Sequence, residues 1–143
     1  MIYFDSSYLV RLYFEDAGFQ AVRELATSDL VVSAQHGRAE VVAAFHRKMR
    51  EATVRKSGYQ VVLKQFSTDT RAGGFKWLAL SEAVLERLEA AFANLPPGLF
   101  LRAGDALHLA TAAEARLREI YSNDTNLLAA APHFGLRAID VIR

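Results

Sequence analysis

Tyr3-Phe4-Asp5-Ser6-Ser7-Tyr8-Leu9-Val10-Arg11-Leu12-Tyr13-Phe14 is the stretch whose reading decides the fold. Ile2 to Phe4 is a short β-prone run that stops abruptly at an acid, and beyond it Tyr8, Leu9, Leu12 and Tyr13 recur at helical spacing. A strand therefore feeds directly into a helix, with Ser6 expected as its N-cap.

The same alternation continues outward. A helix is expected after Gly18, carrying Phe19, Val22, Leu25 and Ala26 and ending near Ser28-Asp29. Leu30-Val31-Val32 reads as a buried strand, and a long helix from about Gln35 places Ala39, Val42, Ala43 and His46 on one stripe with Glu40 beside it. Thr53 to about Thr70 is a further helix, in which Val54, Val61, Val62 and Phe66 recur, and Gly73-Gly74 stops it. Phe75 to Leu80 reads as a strand, Ser81-Glu82 starts a helix, and Pro96-Pro97-Gly98 breaks the chain. A helix over Ala103 to Leu117, a strand at Glu119 to Ser122, a short helix after Asp124 and a strand near Arg137 to Val141 complete the order. Strands alternating with helices select an α/β fold, because parallel neighbours need crossover connections that are usually helical. The expectation is a three-layer α/β/α sandwich around a mostly parallel sheet, one domain spanning 1–143, with the Pro-Pro-Gly loop internal to it.

Composition narrows the class. With 143 residues, 52% of them hydrophobic, the chain can bury about 70% of its unfolded surface and needs no staples. The absence of cysteine removes disulfides, thiolate metal sites and thiol nucleophiles, and makes a cytoplasmic protein the natural expectation. No apolar run approaches the roughly eighteen residues of a membrane span, and the one at the N-terminus is broken by Asp5, so neither a span nor a secretory signal is expected. Seventeen basic against sixteen acidic residues leave a net charge of +1, so any charge logic is local.

The local logic lies in the acids. Ligands of an open α/β sheet gather at the carboxyl ends of its strands. Asp5 ends the first strand, Asp124 follows the strand through Ile120-Tyr121, and Glu40 and Asp105 lie in the opening turns of helices. Singly, such acids are more often caps or dipole partners than catalysts. Together in one cleft they would repel, by roughly 3 kcal/mol for a pair about 6 Å apart at an effective dielectric near 20, and would need a cation or protons. Oxygen-only ligation favours a hard ion, Mg²⁺ or Mn²⁺, and that chemistry points to phosphodiester hydrolysis by an activated water. Ser6 is placed either to support such a site or simply to cap a helix, and Ser122 and Asn126 are further supporting candidates. Arg11 and Arg102 can approach a scissile phosphate or neutralise the acids.

With these acids in view, the sequence resembles the PIN-domain ribonucleases, and within them the VapC-type toxins of type II toxin–antitoxin systems. The carrying segments are YFDSSYLVRLYF with Asp5 and Ser6, SAQHGRAEVVAAFHR with Glu40 and Arg47, RAGDALHLATA with Asp105, and SNDTNLLAAA with Asp124, of which the third is the most specific. The resemblance covers nearly the whole chain. It implies that Asp5, Glu40, Asp105 and Asp124 are the acidic quartet that binds Mg²⁺ or Mn²⁺, that Ser6 is its polar neighbour, that RNA is the substrate, and that the protein dimerises and is neutralised by a VapB-type antitoxin. Family members differ in the position that supplies the fourth acid, and here Asp124 has Asn126 two places on.

Other residues have blander readings beside them. His108 lies three places after Asp105, but a packing role is expected, and His36, His46 and His133 show no paired-ligand spacing, which disfavours zinc. Arg47, Lys48, Arg50, Arg55 and Lys56 can follow RNA phosphates or be a solvated face. Tyr8, Tyr13, Phe14, Phe19, Phe45, Tyr59 and Phe66 either line an antitoxin groove or pack internally. Two rival functions remain: a different carboxylate-metal phosphohydrolase, and a silent PIN-like module that binds RNA or protein. A haloacid-dehalogenase-type phosphatase would want a second Asp where Ser7 stands, and a receiver domain would want adjacent acids in place of Asp5-Ser6.

Overall fold

The computed structural model describes residues 1–143. Strand β1 (Ile2–Tyr3) leads into helix α1 (Ser6–Val10), and after α2 (Phe19–Ala26) the chain returns as β2 (Val31–Ala34). Helices α3 (Gln35–Arg50) and α4 (Lys56–Arg71) precede β3 (Lys76–Leu78), which is followed by α5 (Glu82–Ala93) and α6 (Ala103–Glu114). Strand β4 (Glu119–Tyr121), α7 (Thr125–Ala130), a 3₁₀ turn (Ala131–Phe134) and β5 (Arg137–Ile139) close the chain.

All strand pairs are parallel. Ile2 pairs with Val31, Val32 with Lys76, and Glu119 with Arg137, which gives the blocks β1-β2-β3 and β4-β5. A single parallel bridge, Phe4 to Tyr121, joins them, with the Asp5 N–H donating to the Tyr121 carbonyl at 3.1 Å. The sheet therefore runs β3-β2-β1-β4-β5, with a narrow seam between β1 and β4.

The period-2 alternation of strands sorts the core onto two faces. Ile2, Phe4 and Val31 pack with Tyr8, Leu9, Val22, Val41, Phe45 and Phe66 of α1–α4. Tyr3, Val32 and Ala34 pack with Val84, Leu109, Ala110 and Leu127 of α5–α7. Both faces are covered, as a parallel sheet requires, so the fold is the expected α/β/α sandwich.

Four local expectations are corrected. The cap of α1 is Asp5, whose Oδ1 accepts from the Tyr8 N–H at 3.0 Å, and Ser6 is the first helical residue. On α3 the buried stripe is Gly37, Val41 and Phe45, and Ala39, Val42, Ala43 and His46 are exposed. Two stripes at helical spacing exist on that helix, and the larger side chains win the core. The aromatics of the first half pack internally: Phe45 stands edge-on to Tyr13, Phe14 and Phe66 with ring centroids 5.3–5.8 Å apart. Of the seven, Tyr59 and Phe66 also border an open cleft. On α4, Val54 precedes the helix and Val61 faces solvent, leaving Phe66 as its buried residue; elsewhere the differences are frayed ends, such as α6 stopping at Glu114.

Candidate active site

Asp5 sits where β1 ends against the seam. It is buried and held by three donors: Oδ1 accepts from the Tyr8 N–H and from Ser7 Oγ at 2.6 Å, and Oδ2 accepts from Ser122 Oγ, which leaves Oδ2 one direction open. Burial pushes the Asp5 carboxyl above the ordinary range, against the opposing pull of the charge His108 brings when protonated and of the Ser122, Ser7 and Tyr8 donors. Ser122 has a second bond, because its Oγ accepts from the Asp124 N–H at 3.0 Å. One hydroxyl thus ties the acid after β1 to the acid after β4. Asp124 caps α7 as well, accepting from the Leu127 N–H at 2.9 Å.

Glu40 projects from the second turn of α3. His108 Nε2 lies 2.6 Å from its Oε1 and His36 Nε2 lies 3.4 Å from the same atom. Burial pushes the Glu40 carboxyl up, but the hydrogen bond from His108, the charge that His108 and His36 bring when protonated and the Ser6 hydroxyl more than reverse this and leave it below its ordinary value. On the opposite side, α6 comes close at Gly104, where an added Cβ would stand 3.0 Å from Glu40 Oε2. His36 Nε2–H donates to the Gly104 carbonyl at 2.9 Å and fixes that approach.

Asp105 follows one residue later in the first turn of α6. Burial and the charge of Asp124 push its carboxyl up, and Arg102 and His108 oppose them less strongly. Arg102 spans the two acids, with Nε 3.2 Å from Asp105 Oδ2 and a terminal nitrogen 3.5 Å from Asp124 Oδ2. Arg11 is engaged elsewhere, donating to the Ser7 and Ala17 carbonyls at 2.9 and 2.8 Å, so it braces the turn after α1 and does not neutralise the acids. Asn126 lies on the exposed side of α7, outside the lining of the cleft.

All four acids line one open cleft of about 1970 Å³, together with Ser6, Arg11, Arg38, Arg47, Arg102 and Arg143. Its acid donors are oxygen-only, and among lysine and arginine side chains only Arg102 pairs with them. Asp5 and Glu40 have no such partner. Asp5, Glu40, Asp105 and Asp124 offer carboxylate oxygens to one cleft with a single paired guanidinium among them, a donor set that suits a hard divalent cation such as Mg²⁺ or Mn²⁺.

A family model described as PIN domain matches residues 2–132. The chain belongs to the PIN-domain family. No curated protein sequence matches it. Among solved structures, this PIN domain is similar to FitAcB from Neisseria gonorrhoeae (TM-score 0.72, 16% identity, 97% of this chain and 96% of that one). It is similar also to VapC20 of Mycobacterium tuberculosis, described as a sarcin-ricin loop cleaving toxin (TM-score 0.69, 15% identity, 91% and 95%). A third is VapBC2 from Rickettsia felis bound to a promoter DNA fragment (TM-score 0.68, 15% identity, 98% of each chain). At these identities the likeness is one of fold.

The PIN domain brings Asp5, Glu40, Asp105 and Asp124 to one cleft, with Ser6 and Ser122 beside them. Sequence reasoning passed over His36 and His108. Their ring nitrogens and the Glu40 carboxylate lie within 4.8 Å of one another, although 72 residues part the two histidines in sequence. No local spacing signals such a pair. The only trace is that His36 stands four places before Glu40 on one helix.

Proposed function

We propose that the protein is a Mg²⁺- or Mn²⁺-dependent endoribonuclease of the VapC toxin type, acting as one domain over 1–143, cytoplasmic, homodimeric and neutralised by a VapB-type antitoxin. The observation that carries this reading is the convergence of Asp5, Glu40, Asp105 and Asp124 on one cleft with Arg102 as their one paired arginine or lysine. The family, and the toxin–antitoxin complexes among the structures of like fold, support it.

Asp5, Glu40, Asp105 and Asp124 would hold the ion. A divalent cation bound there supplies Lewis acidity, making water a competent nucleophile near neutral pH and stabilising charge on the phosphate and the departing oxygen. The chain's own residues do the rest. Ser122 and Ser7 fix the rotation of the Asp5 carboxylate. Arg38 and Arg47 on the walls of the cleft are placed to draw in phosphates, the electrostatic part of nucleic-acid affinity, whereas Arg143 is paired with Asp140 at 3.0 Å. Lys48 is less free, held by Asp16 at 2.7 Å and lying over the Phe14 ring. The exposed stripe Ala39, Val42 and Ala43 lies along the same cleft and offers an antitoxin segment an apolar seat beside the acids. No helix of the chain is long and apolar enough to cross a membrane.

The test is cleavage of a mixed RNA pool with Mg²⁺ or Mn²⁺, with chelator, and with Asp105→Asn. Metal-dependent cuts made by wild type and lost in the variant support the reading. A wild type that cuts nothing but retains RNA would leave the silent binding module, and cutting that survives the substitution would remove the acids from the chemistry.

A further inference from the structure

The buried face of α6 carries a chain of hydrogen bonds that ends on Glu40. The Ala34 N–H, at the end of β2, donates to the Tyr3 hydroxyl at 3.1 Å. With that bond accepted, the Tyr3 O–H has its own proton to give, and His108 Nδ1 lies 2.8 Å away to accept it. The imidazole then carries its proton on Nε2, which faces Glu40 Oε1 at 2.6 Å. Tyr3 and His108 are both fully buried, with the phenol edge-on to the imidazole at 84°, so neither ring has solvent to turn into. Gly37 on α3 admits the imidazole, since an added Cβ there would stand 3.2 Å from its Cε1.

We infer that His108 is a positioning residue for metal binding: oriented by Tyr3, its Nε2–H holds Glu40 Oε1 and leaves Oε2, on the Gly104 side, as the oxygen presented to the ion. The inference rests on the nuclease reading above. Partners that orient a metal-binding carboxylate act through the rotamer and tautomer they fix. Here the backbone of β2 sets the phenol, the phenol sets the tautomer, and the tautomer sets the carboxylate, so the geometry of Glu40 is wired to the sheet and not to its own helix alone. The packing role expected of His108 is corrected accordingly: the residue packs, and it also donates.

The experiment titrates Mn²⁺ into full-length protein, following the loss of the free-ion paramagnetic resonance signal and the heat of binding, with cleavage measured in parallel and the fold checked by circular dichroism in chelator. His108→Leu removes the donor and is expected to weaken Mn²⁺ binding roughly 10- to 100-fold. His108→Gln places an amide N–H where Nε2 stood and should restore affinity to within a few-fold, whereas His108→Asn, equally polar but too short to reach, should not. Wild-type affinity in His108→Leu overturns the inference, and so does equal affinity in the Gln and Asn variants. Should the leucine variant fail to fold, the Gln against Asn comparison decides alone. Wild type that binds no Mn²⁺ at all sinks the nuclease reading itself, and that result is seen before any variant is made.

Discussion

Ser122 donates its hydroxyl proton to Asp5 across the seam between β4 and β1, and the same oxygen accepts the backbone N–H of Asp124. A residue with no charge thereby fixes the separation of two acids that come from different blocks of the sheet. Ser122→Ala leaves a buried carboxylate oxygen and a backbone N–H without partners, and a loss of about 1–3 kcal/mol is expected. Urea unfolding in chelator measures it, and a variant as stable as wild type would show that neither bond matters.

Asp105→Asn should behave in the opposite direction. Burial and the Asp124 charge both penalise the ionised Asp105 carboxyl, so its neutral isostere is expected to raise the melting temperature in chelator while abolishing metal-dependent cleavage. At this length each kcal/mol relieved corresponds to about 2–4 °C. A simple cap or ion-pair role predicts a fall in Tm instead.

Asp5 sets a pH dependence whose sign follows from its raised carboxyl. A group whose folded pKa lies above its unfolded value holds its proton longer in the native state, so the metal-free protein loses stability as pH rises from about 4, the unfolded value, through the folded pKa. Glu40, held low, works the other way: its contribution is present above its unfolded pKa and is lost as pH falls through the folded one. Melting Asp5→Asn and wild type in chelator across this range should show the variant free of the decline on the alkaline side. Parallel curves would assign the decline elsewhere. Asp5→Ala is expected to be the less stable replacement by about 1 kcal/mol, because it also removes the α1 cap, which Asn retains.

Gly104→Ala separates stability from function. Alanine restricts the unfolded chain and so favours folding by about 0.4–1 kcal/mol, yet its Cβ would press on Glu40 Oε2 at 3.0 Å. The expected result is unchanged or improved thermal stability with weaker Mn²⁺ binding, read by calorimetry. Unaltered binding would show that Glu40 can retreat.

Arg102→Gln removes the one cation spanning Asp105 and Asp124. Mn²⁺ affinity should rise several-fold, most at low ionic strength, because the exposed guanidinium competes with the ion for the same charges. A fall in affinity would mean that Arg102 supports the site and does not compete for it.

The order of elements and the four acids were legible in the sequence because their signals are local: Ile2 to Phe4 stopping at Asp5, Ser81 before an amphipathic run, Gly104-Asp105 at a helix start. The polar wiring was not. Tyr3, His36 and His108 read as ordinary core or surface residues, since the bonds that give them roles join β1, α3 and α6 across more than sixty positions of chain. The stripe on α3 was misjudged for a related reason. Ala39, Val42 and Ala43 obey helical periodicity as well as Val41 and Phe45 do, and only the neighbouring helices decide which set is covered.

The narrow junction at Phe4 and Tyr121 has a mechanical consequence. Asp5 hangs from one side of it and Asp124 from the other, so anything that grips both acids rivets the two slabs together. The Asp5 amide hydrogen, bonded across that line to the Tyr121 carbonyl, should exchange more slowly once the acids are bridged, and the same bridge should make the whole sheet harder to pull apart by force.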